Sequence, residues 1–335
     1  MSVSTTPAPA FGTVMASRMA LATTDDGVFG AVEVVPTGPV ELHPAAHALH
    51  YGSACFEGLK AHPGVDGKVR LFRPQRHAER LGVSAELLSL PVPPVELVTG
   101  ALRELVAANL DDVPPAPGAL YLRPVLLGVD PNIGAAAAPS TEALLYVLAS
   151  PVGDYFRGDG GLTLAIETEL PRTTPQFGQV KCGANYAMAL GVTRRARAEH
   201  GADQVLFAPG GDVQETGAAN FLLLDDRRVV TKALDPSFLH GVTRDSILTL
   251  ARDLGYEVEE RDLGIEEVLD WARTGEAALA GTAAVLAPVG AFVHGGRRHP
   301  VGDGSMGPNT ARLREALLAI QRGEAADPHD WTQPV

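Results

Sequence analysis

Apolar runs bounded by glycine or proline recur along this chain and read as strands. In the N-terminal half they are residues 68–74 (KVRLFRP), 118–129 (GALYLRPVLLGV) and 142–152 (EALLYVLASPV). In the C-terminal half they are 162–168 (LTLAIET), 204–209 (QVLFAP), 220–224 (NFLLL) and 228–231 (RVVT). The pairs Gly210-Gly211 and Asp225-Asp226 separate the last three, which predicts an antiparallel meander. Between the strands the period changes. Residues 75–88 behind Pro74, and 94–110 with apolar positions at 98, 101, 102 and 105, carry a helical stripe. So do 243–255, with Gly255 placed as a C′ glycine, and 308–321 behind Pro308 and Asn309. The run 183–201 (GANYAMALGVTRRARAEHG) also reads as a helix, with Tyr186, Ala187, Leu190 and Ala198 as its apolar positions.

Both halves mix strands and helices without regular βαβ alternation, which predicts the α+β class. Turn residues cluster over 149–161 (ASPVGDYFRGDGG), and no periodicity crosses them. The expected division is an N-terminal α/β domain over 1–150, a linker over 151–161 and a C-terminal α/β domain over 162–335. Residues 1–14 read as a loose tail or an arm over the body.

Composition narrows the class of function. The 335 residues leave room for two cores, and a net charge of -13 argues against nucleic acid as a partner. No apolar run approaches the roughly 20 residues that cross a bilayer. The N-terminus lacks the basic and apolar regions of a secretory signal. Two cysteines, Cys55 and Cys182, give no disulfide framework, so the expected compartment is the cytoplasm. His43, His47 and His50 carry metal-like spacing, but Pro44 breaks the helix it needs, and no metal site is expected.

Only four of the 27 basic residues are lysines. One of them, Lys181, stands among small residues at a strand-to-helix junction. An isolated lysine is ordinarily a solvated surface group. In this setting it can point into a cleft, where desolvation disfavours an ammonium and makes the amine a nucleophile. A lysine that forms a Schiff base is the chemistry of pyridoxal 5′-phosphate, PLP. PLP also needs a carboxylate at its ring nitrogen, N–H groups and an arginine at its phosphate, and a donor at its phenolic oxygen. Glu215 follows a turn; Gly241, Val242 and Thr243 open a helix; Thr282 lies in an apolar run; Arg73 ends a strand. Taken singly, each has an ordinary reading as a hairpin carboxylate, a helix start, a tight bend or a surface charge.

Ten stretches, in order from residue 47 to the C-terminus, resemble the branched-chain amino acid aminotransferases, PLP-dependent enzymes of fold type IV. They are HALHYGSACFEGLKAH, LFRPQRHAERL, YLRPVLLGVDPNIG, SPVGDYF, KCGANYA, QETGAANF, HGVTRDSIL, AGTAAVLAPVG, GPNT and DWTQPV. The resemblance implies two domains with the cofactor at their interface. It implies that Lys181 carries PLP and moves the proton between Cα and C4′, with Tyr186 beside the phenolic oxygen and Glu215 facing the ring nitrogen. Arg73, Val242, Thr243 and Thr282 match the phosphate cup. Tyr51 and Phe56 match pocket walls. Tyr121 and Arg123 match residues beside the substrate carboxylate, with the Thr282 and Ala283 N–H groups facing it. The implied reaction is transamination of branched-chain or similar hydrophobic L-amino acids, with 2-oxoglutarate as acceptor, in a homodimer whose neighbouring subunit completes the pocket.

Some positions depart from the family pattern. Ala184 replaces the second glycine of Lys-x-Gly-Gly-Asn-Tyr. Pro175, Gln176 and Phe177 replace a run of small residues, and Met188 stands where small or polar residues are common. Cys182 reads as a small hydrophobe at a helix start, and the redox CxxC of some relatives is absent. The changes crowd the approach to Lys181 and bear on substrate choice. The same fold and cofactor also serve D-amino acid aminotransferases, aminodeoxychorismate-type lyases and transaminases of specialised pathways. The alternative of another class is a non-catalytic binding protein that kept the fold.

Overall fold

A computed structural model describes residues 11–153 and 160–335. The expected N-terminal arm falls largely, and the middle of the expected linker falls wholly, outside the described residues. Along the chain the order is β1 (Arg18–Asp25), β2 (Val28–Phe29), β3 (Glu33–Pro36), α1 (His47–Tyr51), β4 (Ala54–Phe56), β5 (Leu59–Pro63), β6 (Val69–Phe72), α2 (Pro74–Leu87), α3 (Val95–Ala108), β7 (Ala119–Gly128) and β8 (Ala143–Val152). There follow β9 (Leu162–Glu167), α4 (Gly183–His200), β10 (Gln204–Phe207), β11 (Asn220–Leu224), β12 (Arg228–Thr231), α5 (Val242–Asp253), β13 (Glu257–Glu260), α6 (Ile265–Trp271), β14 (Glu276–Gly281), β15 (Val285–His294), β16 (Arg297–Pro300), α7 (Pro308–Gln321) and β17 (Thr332–Pro334). No helix among the described residues is long and apolar enough to cross a membrane.

The chain forms two compact units, Met1–Tyr155 with Ile320–Val335, and Phe156–Ala319. The segment from Ile320 onward therefore groups with the first unit, whereas division by chain order put it with the second. The cause is strand pairing: β17 lies antiparallel to β6, with Thr332 opposite Phe72.

The first unit is built on a sheet ordered β17-β6-β5-β7-β8-β1-β2, with β3 on β1 and β4 on β7. Alternation along its strands sorts the side chains. Leu59 and Ala61 of β5, and Leu120 and Leu122 of β7, join Leu81, Leu102 and Leu105 of α2 and α3 in one apolar core. Each such fully buried leucine contributes about 1.5–3 kcal/mol. The intervening positions Lys60, His62, Tyr121 and Arg123 fall on the opposite face. Beside the core, Glu57 is only 1% exposed and receives His77 Nδ1 at 2.7 Å and Arg80 Nε at 2.7 Å. Burial alone would raise its pKa; the charges of Arg80 and His77 and their hydrogen bonds outweigh that and hold it well below the carboxylate range.

The second unit carries the sheet β10-β9-β15-β14-β11-β12-β13, with β16 on β15. Strand β15 is central and buried along nearly its whole length. The rings of Phe221 and Phe292 meet edge to face at 6.0 Å in this unit's core. Antiparallel pairs mix with parallel ones, β9 with β10 and β15, and β12 with β13. The α+β expectation is met. The meander is met only in part: β11 and β12 pair antiparallel, but β10 pairs with β9. Among the described residues, those between β10 and β11 make isolated bridges, Leu206 with Thr216, Asp212 with Gly264 and Glu215 with Asn220. At the end of β12, buried Lys232 meets Asp212 at 2.8 Å and Asp262 at 2.9 Å.

Candidate active site

Lys181 lies two residues before α4. Cys182, its N-cap, is extended and 1% exposed, and Gly183 opens the helix. Before the lysine, Pro175–Phe177 form a single 3-10 turn. Asn185, buried in the first turn of α4, clamps this approach: its amide donates to Phe177 O at 2.9 Å and to Val180 O at 2.8 Å. Thr173 Oγ1 donates to Asn185 Oδ1 at 2.7 Å. Gly178 presses on the Ser237 backbone so closely that a Cβ would lie 2.0 Å from it. The Pro175–Phe177 stretch is thus a fixed turn. Ala184 and Met188 are exposed, Met188 at 50%.

A contiguous set of polar groups begins at the lysine. Lys181 Nζ donates to Tyr186 OH at 2.8 Å. The Arg172 guanidinium lies 5.5 Å from the Tyr186 ring centre, and its Nη1 lies 2.8 Å from Glu215 Oε1. That approach is too far off line for a hydrogen bond, so the contact is one of charge. Arg172 Nε donates to Gly217 O at 3.3 Å. Both charged side chains are buried, Arg172 at 2% and Glu215 at 2% exposed. Glu215 also accepts from Leu239 N at 3.0 Å and Asn220 Nδ2 at 3.1 Å. Such a carboxylate persists because its charge is paired and its oxygens are bonded.

Asn220 carries the set to the start of α5. A Cβ on Gly241, the N-cap, would stand 2.0 Å from Asn220 Oδ1. Val242 and Thr243 follow in the first turn, where N–H groups lack an intrahelical acceptor and the helix dipole favours an anion. Asn220 is also opposite Ala280 in the β11–β14 pair, and Gly281 opposite Val285 closes the turn holding Thr282 and Ala283. Val285 has φ 64°, the left-handed region, which costs a β-branched residue about 1–3 kcal/mol. The turn that presents Thr282 and Ala283 is held under strain.

In the first unit, Arg123 Nη2 donates to Tyr121 OH at 2.8 Å, and its guanidinium lies 4.6 Å from the Phe56 ring centre. Gly58 passes so near Tyr121 that a Cβ would lie 2.1 Å from the hydroxyl. Tyr51 is held at the end of α1, its ring 4.9 Å from that of His47 and its hydroxyl on Ile133 O. Arg73 precedes α2 with φ 50°, a conformation uncommon for a residue with a Cβ. Its guanidinium lies 4.9 Å from the Trp331 ring centre.

Within the second unit, then, Lys181, Tyr186 and Glu215 are linked through Arg172, Asn220 joins Glu215 to the start of α5, and the turn of Thr282 and Ala283 follows the strand paired with that of Asn220. In the first unit Phe56, Tyr121 and Arg123 form a group, while Arg73 and Tyr51 stand at the ends of other elements. Sequence reasoning missed Arg172, Asn185 and Asn220. Asn185 and Asn220 lie inside the stretches KCGANYA and QETGAANF, whereas Arg172 lies outside all ten. The donor set fits PLP: an amine, a phenol beside it, a buried carboxylate, and a helix start able to cup a phosphate.

The amino-transferase class IV profile matches residues 54–292. A branched-chain-amino-acid aminotransferase of Mycolicibacterium smegmatis is 39% identical over 96% of this chain and 91% of its own length. A probable branched-chain-amino-acid aminotransferase of Streptomyces coelicolor is also 39% identical, over 89% of this chain and 84% of its own. Among solved structures, the T.th. branched-chain amino acid aminotransferase with pyridoxamine 5′-phosphate superposes with a TM-score of 0.79 at 27% identity, covering 96% of this chain and 99% of that one. This chain belongs to the class IV aminotransferases, in the family of the branched-chain-amino-acid aminotransferases.

Proposed function

We propose that the protein is a PLP-dependent aminotransferase for branched-chain or similarly sized hydrophobic L-amino acids, with 2-oxoglutarate as the acceptor. The observation that carries this reading is the contact chain from Lys181 through Tyr186 and Arg172 to Glu215. When bound, PLP supplies an aldehyde that takes up the amino group and a ring that accepts the electron pair released at Cα.

The protein's own residues do the rest. Lys181 holds the cofactor, then moves a proton between the substrate Cα and C4′ as general base and acid. Tyr186, already bonded to the lysine amine, donates to the phenolic oxygen. Glu215, paired with Arg172, holds the proton on the ring nitrogen. The N–H groups of Val242 and Thr243, with Thr282, hold the phosphate. In the second unit the N–H groups of Thr282 and Ala283 suit a substrate carboxylate; in the first, Arg123 with Tyr121 suits a carboxylate, and Phe56 and Tyr51 suit an apolar side chain.

We infer a homodimer. Helix α4 exposes Met188 at 50% and Leu190 at 58%, large apolar side chains suited to contact with a second copy. A dimer mass in sedimentation equilibrium is the expected reading. Cys55 and Cys182 are both buried and form no disulfide, which suits a cytoplasmic location.

The test is a single half-reaction. Holoprotein mixed with L-leucine, L-valine or L-isoleucine should lose its visible absorbance as pyridoxamine phosphate and a 2-oxo acid form. Lys181→Ala should show neither the band nor the change. An unchanged spectrum with all three amino acids would overturn the substrate assignment.

A further inference from the structure

We propose that Asn185, in the first turn of α4, is a positioning residue that holds the main chain at Lys181 in the turn from which its amine reaches the cofactor aldehyde. The proposal rests on the reading of Lys181 given above and concerns residues of the second unit alone.

The chain passes through Lys181 in a tight turn. Cys182 N donates to Val180 O at 3.1 Å, which closes a three-residue γ-turn with Lys181 at its apex. Just before it, Val180 N donates to Phe177 O at 3.2 Å. A turn closed by a single hydrogen bond is weakly held. Asn185 adds a second donor to each of these carbonyls, Nδ2 to Phe177 O at 2.9 Å and to Val180 O at 2.8 Å. Its side chain reaches back to them because Cα–Cβ bonds in a helix tilt toward the N-terminus. Val180 O belongs to the peptide bond that leads into Lys181, so the amide grips the backbone of the lysine itself. Beyond Cα the lysine side chain has other contacts, Tyr186 OH among them.

The amide can do this in one orientation only. Both Nδ2 protons point to carbonyls, and Oδ1 accepts from Thr173 Oγ1 at 2.7 Å. Turned over, the amide would set its oxygen against two carbonyl oxygens. Asn185 is 1% exposed and Thr173 2%, so water does not compete for these bonds. On the other flank Gln179 N donates to Pro236 O at 3.2 Å, and Gly178 lies against the Ser237 backbone. The approach to Lys181 is clasped between α4 and residues 236–237.

The experiment titrates full-length protein, freed of coenzyme, with PLP and with pyridoxamine phosphate. PLP binding includes the bond between the Lys181 amine and the aldehyde carbon, formed with loss of water. Pyridoxamine phosphate has no aldehyde and binds without that bond. Asn185→Leu keeps the size of the side chain and removes its donors, while each carbonyl keeps its backbone partner. It should weaken PLP binding about tenfold and leave pyridoxamine phosphate within about twofold of the parent. Thr173→Val takes away the hydroxyl that orients the amide and should show the same selective loss at about threefold; it carries the test should Asn185→Leu fail to fold. Lys181→Ala should lose at least as much PLP affinity as Asn185→Leu, and combining the two should cost little more. Equal weakening of PLP and pyridoxamine phosphate in Asn185→Leu would mean general loosening and would overturn the proposal, as would additive losses in the double variant. Unchanged PLP binding in Asn185→Leu, alongside a selective loss in Lys181→Ala, would overturn the proposal and leave the reading of Lys181 intact. Unchanged PLP binding in Lys181→Ala would remove that reading and the proposal with it.

Discussion

Arg172 is a buried cation in contact with two residues of the candidate site. It faces Glu215 at 2.8 Å and lies over the ring of Tyr186, so it is in contact with groups assigned to two different parts of the cofactor. Replacing it by glutamine leaves a buried carboxylate without counter-charge, a loss of about 3–5 kcal/mol that protonation of Glu215 would relieve. A neutral Glu215 would be a poor partner for the protonated ring nitrogen it is proposed to face. We expect Arg172→Gln to slow the first half-reaction in the parent and to add little in a Glu215→Gln background. The coupling should be about 1–3 kcal/mol, read from stopped-flow rates of the four proteins; additive losses would mean that Arg172 acts elsewhere. Lys181, Tyr186 and Glu215, which the structure joins through Arg172, could be singled out in the sequence because each sits in a short, ordered motif. Arg172 was not, because folding alone brings it to a carboxylate distant in the chain, and no spacing encodes that meeting. Asn185 hid for another reason: an amide in a helix start reads as a polar surface group until its two carbonyl partners are seen.

At the scale of elements, the start of α5 depends on a contact across the unit. Gly241 leaves no room between the helix and Asn220, the residue that also donates to Glu215. Gly241→Ala would place a Cβ 2.0 Å from the Asn220 amide oxygen, so the amide or the helix must move. Overpacking of this kind costs about 1–3 kcal/mol. It should weaken PLP binding by tenfold or more while β11 and α5 persist, as fluorescence titration and circular dichroism would reveal. Long elements with strong periodicity were legible to within a residue or two, α3, α5 and α7 among them. The error lay in pairing. Gly210 and Gly211 both have positive φ and do turn the chain, but a turn signal says where a strand stops, not which neighbour it will find. Short strands such as β13 (EVEE) and β16 (RRHP) carry almost no apolar signal; each is held at one side by a single partner strand.

For the molecule as a whole, acid stability follows from groups buried in the first unit. Burial first, then the charges of Lys60 and Arg322, push His62 down from 6.5 to about 3. Between those values the unfolded chain binds a proton that the folded chain refuses. Stability is therefore lost as pH falls below 6.5, by about 1.4 kcal/mol per unit from this residue. Glu57 adds to the loss only below its ordinary value of 4.5, because its pKa is lowered on folding. His62→Gln should flatten the decline between pH 6.5 and 5, measured as urea midpoints across that range; an unaltered slope would assign it to other groups. The grouping of the C-terminal strand with the first unit was illegible in the sequence, since DWTQPV is too short and too polar to announce a strand. The scarcity of lysine also has a practical side. Lys60 and Lys232 are buried, Lys181 is bonded to Tyr186, and Lys68 alone of the four is exposed, on the hairpin between β5 and β6. Among the lysines, amine-directed coupling to a resin or a dye should therefore attach through Lys68 on that hairpin.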